Sequence, residues 1–249
     1  MHGVYALSAG RWVLAAFTAV CTGIAKTGIP GLGILLAPLF AEILPARLST
    51  GALLPLLISA DAFAVIFWRR HGSWKHLVRL LPWAVIGIVA GYFALGRIDD
   101  RQMRYVLGAI VIAMLGVHVY REHVMGTNAR IPTSWWFAAA AGFLAGATTM
   151  IANAAGPVTM IYLLSMRLPK KEFIGTSAWY FFILNWLKVP FSVSLGLITP
   201  ESLVFNAVLV PGVVVGAFAG LYLAHRTPEK AFTVAIQVLT LVSGVMMFF

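Results

Sequence analysis

The most informative stretch for the fold is Gly23-Ile-Ala-Lys-Thr-Gly-Ile-Pro-Gly-Leu-Gly33, because it places a lysine and a helix-breaking segment inside a hydrophobic run. That run covers residues 12–40, and about 20 residues are enough for a helix to cross a membrane. Proline lacks a backbone N–H and glycine weakens a helix. We therefore predict that this run is interrupted at Gly28-Ile-Pro-Gly-Leu-Gly33 rather than forming one long helix.

A second hydrophobic run, residues 135–166, is interrupted in the same way by Asn153-Ala-Ala-Gly-Pro157. Paired interrupted segments in matching halves of a membrane protein are typical of the binding site of a transporter. A new half-helix beginning near Gly31 or Pro157 would direct free N–H groups and a positive dipole end toward an anion.

The composition predicts an all-α integral membrane protein. Hydrophobic residues make up 61% of the chain and charged residues 10%, against about 45–50% and about 25% in soluble domains. The apolar runs are continuous, which favours helices over a barrel. The third and fourth are short, and we expect flanking arginines to reach the interface. The eight hydrophobic segments are 12–40, 48–68, 80–96, 105–120, 135–166, 173–198, 203–224 and 231–249.

Two sequence blocks recur in the same order and predict an internal repeat. Pro45-Ala-Arg-Leu-Ser-Thr-Gly51 aligns with Pro169-Lys-Lys-Glu-Phe-Ile-Gly175, and Gly87-Ile-Val-Ala-Gly91 aligns with Gly216-Ala-Phe-Ala-Gly220. Close helix packing alone also selects Gly-x-x-x-Gly, so the argument depends on the order of both blocks. We predict a first transmembrane repeat at 1–121, a linker at 122–134 and a second repeat at 135–249.

Lysine and arginine positions distinguish two topologies. If all eight segments cross the membrane, these residues divide almost evenly between the two sides. If segments one and five are re-entrant, most of them lie on one side, as the positive-inside rule requires. We therefore favour re-entrant first and fifth segments, which make the two repeats inverted relative to each other.

Three ionisable residues lie inside the hydrophobic segments: Lys26, Asp61 and Lys188. Such a residue costs roughly 2.5–3.5 kcal/mol at bilayer depth and usually marks a functional site. Two cations and one anion favour binding of a negatively charged solute. Lys26 could instead extend from a hairpin end to the interface, and Lys188 could lie where its helix ends. Asp61 is predicted to couple protons, with a structural ion pair to Lys26 as the alternative.

The uncharged donors nearest these features could bind the solute or form ordinary interhelical hydrogen bonds. The predicted substrate-binding set is Lys26, Thr27, Gly28, Gly31, Gly33, Asn153, Gly156, Thr176, Ser177, Asn185 and Lys188.

Other functional classes have little support. The net charge of +10 comes from cations in short loops beside hydrophobic ends, as membrane orientation requires, so we predict no nucleic-acid binding. Cys21 is the single cysteine and gives neither a disulfide framework nor a cysteine metal motif. No zinc-protease, hydrolase or P-loop motif is present. We expect no catalytic residues, no cofactor and no metal.

At these residues the chain resembles the TauE/SafE family, described as sulfite exporters. The similarity runs from about residue 14 to the C-terminal end, with Lys26 and Pro30 departing from the commoner glycine-rich form of the first motif. The motifs that carry it are Gly23-Ile-Ala-Lys-Thr-Gly-Ile-Pro-Gly-Leu-Gly33 with Ala37-Pro38, the Asp61 region leading to Arg69-Arg70, Asn153-Ala-Ala-Gly-Pro157, Gly175-Thr176, and Asn185 through Lys188.

The resemblance implies a multi-pass carrier in the bacterial inner membrane for sulfite, sulfoacetate, related sulfonates or other small organic anions. We predict a secondary transporter, an exporter working by alternating access, in which Lys26 and Lys188 bind the solute and Asp61 couples protons. The expected partners are the anion and the lipid bilayer, with a homo-oligomer as an open alternative. The competing functions are a passive anion channel and a membrane-embedded assembly or enzyme component.

Overall fold

The computed structural model describes residues 7–44, 46–94 and 134–246, and every regular element in these ranges is helical. This confirms the predicted all-α class. The predicted fourth segment, 105–120, and nearly all of the predicted linker lie outside the described residues. The helices are α1 Ala9–Thr27, α2 Leu36–Ile43, α3 Ala46–Trp68, α4 Trp74–Ala94, α5 Trp135–Ala152, α6 Ala155–Ser165, α7 Lys170–Ser194, α8 Pro200–Arg226 and α9 Glu229–Met246.

Both predicted interruptions are present. After α1 the chain passes through two non-helical residues and continues as a 3-10 helix, Pro30–Leu35, before α2 begins. After α5 it turns at Asn153, and α6 begins at Ala155. Each helix after an interruption begins slightly earlier than expected, at Pro30 rather than near Gly31 and at Ala155 rather than near Pro157. The first is 3-10 rather than α because two glycines and a proline within four residues disfavour the α conformation.

Four helical stretches in the described ranges are long and apolar enough to cross a membrane: Ser49–His71, Trp74–Ala94, Trp135–Ala152 and Pro200–Arg226. Ala155–Ser165 is a shorter apolar helix. The expectation of a short third segment was wrong, since its helix begins at Trp74 rather than near residue 80. The first turns of α4 contain Lys75, His76 and Arg79, and these polar residues conceal a helix start from a hydrophobicity pattern.

The recurring glycine blocks lie at two close helix crossings. In the described part of the chain, α1 packs most extensively on α8, and α4 on α5. A Cβ atom on Gly216 would lie 2.0 Å from the Val20 carbonyl oxygen, and one on Gly87 would lie 2.1 Å from the Phe143 carbonyl oxygen. Each fourth helix of a predicted repeat therefore makes backbone contact with the first helix of the other repeat, as small residues permit.

The third helices make a corresponding pair of contacts. A Cβ atom on Gly51 of α3 would lie 2.0 Å from the Leu197 carbonyl oxygen, in the turn before α8. A Cβ atom on Gly175 of α7 would lie 2.8 Å from the His71 carbonyl oxygen, in the turn before α4. Gly51 and Gly175 are the aligned glycines of the sequence repeat, so the contacts between the predicted halves are reciprocal.

These crossings lead to a stability prediction. Gly216→Ala and Gly87→Ala each force two helices apart, and we expect each to lower the free energy of unfolding by about 1–3 kcal/mol. The control is Gly10→Ala, because no heavy atom lies within 4 Å of a Cβ atom at Gly10 and alanine is the better helix former. Thermal unfolding in detergent measures the difference. Equal melting temperatures in all three variants would contradict the close crossings.

Candidate anion-binding site

The three intramembrane ionisable residues meet in one buried cluster. Lys26 is at the end of α1, Asp61 in α3 and Lys188 in α7. The side chain of Lys26 is 11% exposed and that of Asp61 is fully buried, while Lys188 is 2% exposed. Asn153 and Asn185 complete the cluster, which we call the Lys188 cluster. Neither lysine is an exposed interfacial residue.

Both carboxylate oxygens of Asp61 have partners. Its Oδ1 lies 2.8 Å from Lys26 Nζ, an ion pair whose angles fall short of a regular hydrogen bond. Asn185 Nδ2 donates to Oδ2 over 2.6 Å. The Lys26 ammonium also lies 4.3 Å from the ring centre of Phe181, within the range of a cation–π interaction. The ion pair, the predicted alternative to a coupling role, is therefore present, and the two roles are compatible.

Lys188 has a different environment, because its two hydrogen-bond partners are neutral. Its Nζ donates to Thr149 Oγ1 over 3.1 Å and to Asn153 Oδ1 over 2.5 Å. No carboxylate of a described residue lies within ion-pair distance of it. An ammonium has three N–H donors, so these two bonds leave one without an assigned partner.

Asn153 connects the interruption of the fifth segment to this lysine. It adopts the left-handed conformation, with φ 53°, which asparagine tolerates better than most residues. Its N–H bonds the Thr149 carbonyl and the N–H of Ala154 bonds that of Thr148, as at many helix C-termini. Its Nδ2 donates to the Thr50 carbonyl over 2.9 Å. One residue thus ends α5 and holds Oδ1 toward Lys188.

Thr27 and Gly28 contact other helices in the structure. Thr27 Oγ1 donates to the Ala217 carbonyl over 2.7 Å, and Trp68 Nε1 donates to the Thr27 carbonyl over 2.9 Å. A Cβ atom on Gly28 would lie 2.3 Å from the Gly220 carbonyl oxygen. These contacts fix the end of α1 against α3 and α8, and so hold Lys26 in place.

The remaining predicted residues lie away from the cluster or next to its edge. Thr176 accepts a hydrogen bond from the N–H of Ser73 over 2.9 Å, and Ser177 is buried beside it in α7. At 1.5 Å per residue, both are roughly 16–18 Å from Lys188 along the helix axis. Gly31 and Gly33 belong to the 3-10 helix. Gly156 is the second residue of α6, immediately after the Asn153 turn.

Sequence reasoning missed Thr149 and Phe181. Thr149 lies four residues before Asn153, so helical spacing could have indicated that both reach the same neighbour. Phe181 carries no such signal, because any aromatic residue in an apolar helix reads as packing. Among the residues that the structure describes, no three histidine, cysteine, aspartate or glutamate side chains are grouped as metal ligands.

The Lys188 cluster has the chemistry of an anion site. Two ammonium groups and one carboxylate leave one net positive charge in a buried region. A buried charge without a counter-charge is costly, and a bound ion of opposite sign relieves that cost. The cluster also lies at the interruption of the fifth segment, where the first N–H groups of α6 have no partner within the helix.

The sequence matches a known protein family over nearly its whole length. The family profile described as Sulfite exporter TauE/SafE matches residues 14–247, nearly the whole chain. No curated protein and no solved structure gives a match. Together with several helices able to span a membrane, the match identifies a multi-pass membrane protein of a transporter family. The chain belongs to the sulfite exporter TauE/SafE family.

Proposed function

We propose that this protein is a secondary carrier that exports small sulfur-containing anions across the bacterial inner membrane. The observation that carries the proposal is the state of Lys188, a lysine 2% exposed whose partners are two neutral oxygens. Asp61 does not pair with Lys188 directly, because one of its carboxylate oxygens contacts Lys26 and the other accepts a hydrogen bond from Asn185. An anionic substrate is the counter-charge that this arrangement lacks.

Sulfite and the sulfonate group share the feature that the cluster can recognise. Each presents several oxygens on one sulfur atom, so one oxygen can accept from Lys188 while another faces the first turn of α6. The N–H groups of Ala155 and Gly156 open that helix and form a favourable place for negative charge. The family description favours sulfite, and sulfoacetate offers the same type of head group.

The arrangement of the two halves supports alternating access. The spacing that aligns Pro45 with Pro169 and Gly51 with Gly175 also aligns Asp61 with Asn185. These two residues are hydrogen-bonded to each other. Contact between equivalent residues is the pattern expected at a two-fold axis. The cluster then lies between inverted repeats, where rocking of one repeat against the other exposes it to each side in turn.

Inverted repeats give a direct labelling prediction. Lys75 and Glu201 are exposed and follow the starts of α4 and α8, which contain the third hydrophobic segments of the two repeats. With Cys21 replaced by serine, cysteines introduced at Lys75 and Glu201 should react with an impermeant reagent from opposite sides of the membrane. Permeabilised membranes, in which both must react, are the control. Labelling of both from the same side would exclude inversion.

Asp61 is the proposed coupling residue, because its charge determines the charge of the cluster. When Asp61 is ionised, the cluster carries one net positive charge; when it is protonated, Lys26 loses its counter-charge and the cluster carries two. Protonation therefore strengthens anion binding, and the anion favours protonation in return, because the two equilibria are linked.

The carrier mechanism is tested by counterflow in liposomes. Vesicles loaded with unlabelled sulfite should transiently accumulate radioactive sulfite above the outside concentration, because a carrier exchanges one anion for another. Protein-free liposomes are the control. Equilibration without an overshoot would indicate a passive channel, and absence of any protein-dependent flux would remove sulfite as a substrate.

A further inference from the structure

A row of buried polar side chains lies between α4, α6 and α7 outside the Lys188 cluster. Tyr180 is fully buried, and Thr159 and Tyr162 are 2% and 1% exposed. The hydroxyl oxygens of Thr159 and Tyr180 lack a regular hydrogen bond within the described part of the chain. A buried polar group without a regular partner is costly, and native structures contain few of them. The two hydroxyls lie near each other, so together they place a pair of incompletely bonded polar groups inside the protein.

The row extends from the cluster to one end of the protein. Thr159 and Tyr162 are three residues apart on α6, so they share a face. At 1.5 Å per residue, Thr159 is about 6 Å beyond Ala155, the first residue of α6, and Tyr180 is about 12 Å before Lys188 along α7. The row ends at His76, whose Nδ1 is 3.1 Å from the Tyr162 hydroxyl.

Tyr162 closes the outer end of this row. Its ring stacks on Phe137 with 5.6 Å between ring centres and 23° between planes. It also packs edge-to-face against the His76 imidazole, with 5.9 Å between the ring centres and 74° between the ring planes. The hydrogen bond to His76 joins α6 to the first turn of α4. Tyr162 is thus held by one polar and two aromatic contacts at the boundary between the buried hydroxyls and the charged surface.

The surface beyond His76 is basic. Among the described residues, the charged groups that act electrostatically on His76 are Lys75, Arg79 and Glu172. Arg69 and Arg70 lie in the same turn between α3 and α4. Positive charge at an entrance raises the local concentration of anions.

The corresponding positions of the first repeat are apolar. The spacing that aligns Gly51 with Gly175 also aligns Leu56 with Tyr180, Leu53 with Ser177 and Ala52 with Thr176. All three apolar residues are buried in a core cluster that also contains Leu36, Phe40 and Phe205. Tyr180, the member of the polar row on α7, therefore has a buried apolar counterpart on α3.

We propose that the row Thr159, Tyr180, Tyr162 and His76 lines the passage by which the anion moves between Lys188 and the basic end of the protein, with Tyr162 as its gate. The inference rests on the proposed function. The hydroxyl groups donate to the passing anion in place of water. Opening of the passage requires Tyr162 to move away from His76 and Phe137. On the opposite side of the Lys188 cluster, the apolar residues around Leu56 form the thicker barrier to the anion.

Cysteine reactivity in detergent, where both ends of the protein are accessible, tests the passage. In the Cys21→Ser background, Thr159→Cys is compared with Leu56→Cys, a buried position of the apolar side. The probe is the anionic 2-sulfonatoethyl methanethiosulfonate, itself a sulfonate. We expect it to modify Thr159→Cys about tenfold faster, a difference of about 1.4 kcal/mol in barrier, and sulfoacetate to slow the reaction. Equal or faster modification of Leu56→Cys would overturn the passage.

The gate is tested by adding Tyr162→Phe, which keeps the ring and removes the hydroxyl that meets His76. We expect severalfold faster modification of Thr159→Cys, whereas Tyr222→Phe, at an exposed tyrosine of α8, should leave the rate unchanged. A Thr159→Cys variant that is unreactive with and without Tyr162→Phe would overturn the proposal. Sulfoacetate-dependent thermal stabilisation of the wild type is measured in parallel. If stabilisation by sulfoacetate persists while the labelling fails, the passage is wrong and the anion site stands; if neither sulfoacetate nor sulfite stabilises the protein, the proposed function fails.

Discussion

Replacing Lys188 with alanine is expected to abolish anion binding while the protein still folds and inserts. An anion at 100 times its dissociation constant stabilises the folded state by about 2.7 kcal/mol, and this increment should disappear in the variant. Without anion, the variant should be about as stable as the wild type, because the lost side chain is a buried charge with no direct ion-pair partner among the described residues. Thermal unfolding with and without sulfite or sulfoacetate measures both quantities.

Two companion variants separate charge from shape. Lys188→Met fills the volume without the charge and should behave like alanine. Lys188→Arg keeps the charge but replaces a compact ammonium by a planar fork, which does not reproduce the 3.1 Å and 2.5 Å contacts to Thr149 and Asn153. We therefore expect weak binding and impaired transport. Lys230→Ala, at an exposed lysine of α9, is the control. Unchanged anion affinity in Lys188→Ala would remove Lys188 from the site.

The second large effect is expected for Asp61→Asn. It leaves Lys26 buried without its only described counter-charge, and breaking a buried ion pair costs about 3–5 kcal/mol. Adding Lys26→Met should restore much of that loss, because the double variant contains neither charge. In transport, Asp61→Asn imitates the protonated carboxyl group. The protein that remains folded should exchange anion for anion but no longer respond to a pH gradient.

The two roles of Asp61 are separated by measuring stability and coupling in the same samples. Gradient-driven transport at the wild-type level in Asp61→Asn would exclude the coupling role. Loss of folded protein, rescued by Lys26→Met, would establish the structural pair whether or not coupling survives. A melting temperature equal to that of the wild type would show that the Lys26–Asp61 contact contributes little to stability.

The features that the sequence predicted well depend on local chemistry. The helical class follows from continuous apolar runs, and both interruptions follow from glycine, proline and asparagine at single positions. The convergence of Lys26, Asp61 and Lys188 was predicted because charge inside a hydrophobic segment requires a compensating environment. The Lys26–Asp61 ion pair was one of the two readings of Asp61, and the structure contains it.

The remaining features depend on tertiary neighbours that residue type does not specify. A buried threonine can serve a site or a helix contact: Thr149 bonds Lys188, whereas Thr27 bonds the Ala217 carbonyl on α8. Helical spacing distinguishes such roles only when the facing helix is known. The hydrogen bond between Asp61 and Asn185 required both the repeat alignment and the packing of α3 on α7.

The central claim is that a small oxyanion binds at Lys188, and selenite, the selenium analogue of sulfite, tests it most directly. Crystals of the protein soaked with selenite and measured at the selenium absorption edge locate the anion by its anomalous signal. We predict a peak within hydrogen-bond distance of Lys188 Nζ, beside Asn153 and the start of α6, and loss of that peak in Lys188→Met. Selenite bound at saturation only to exposed basic side chains, with none at Lys188, would contradict the proposed site.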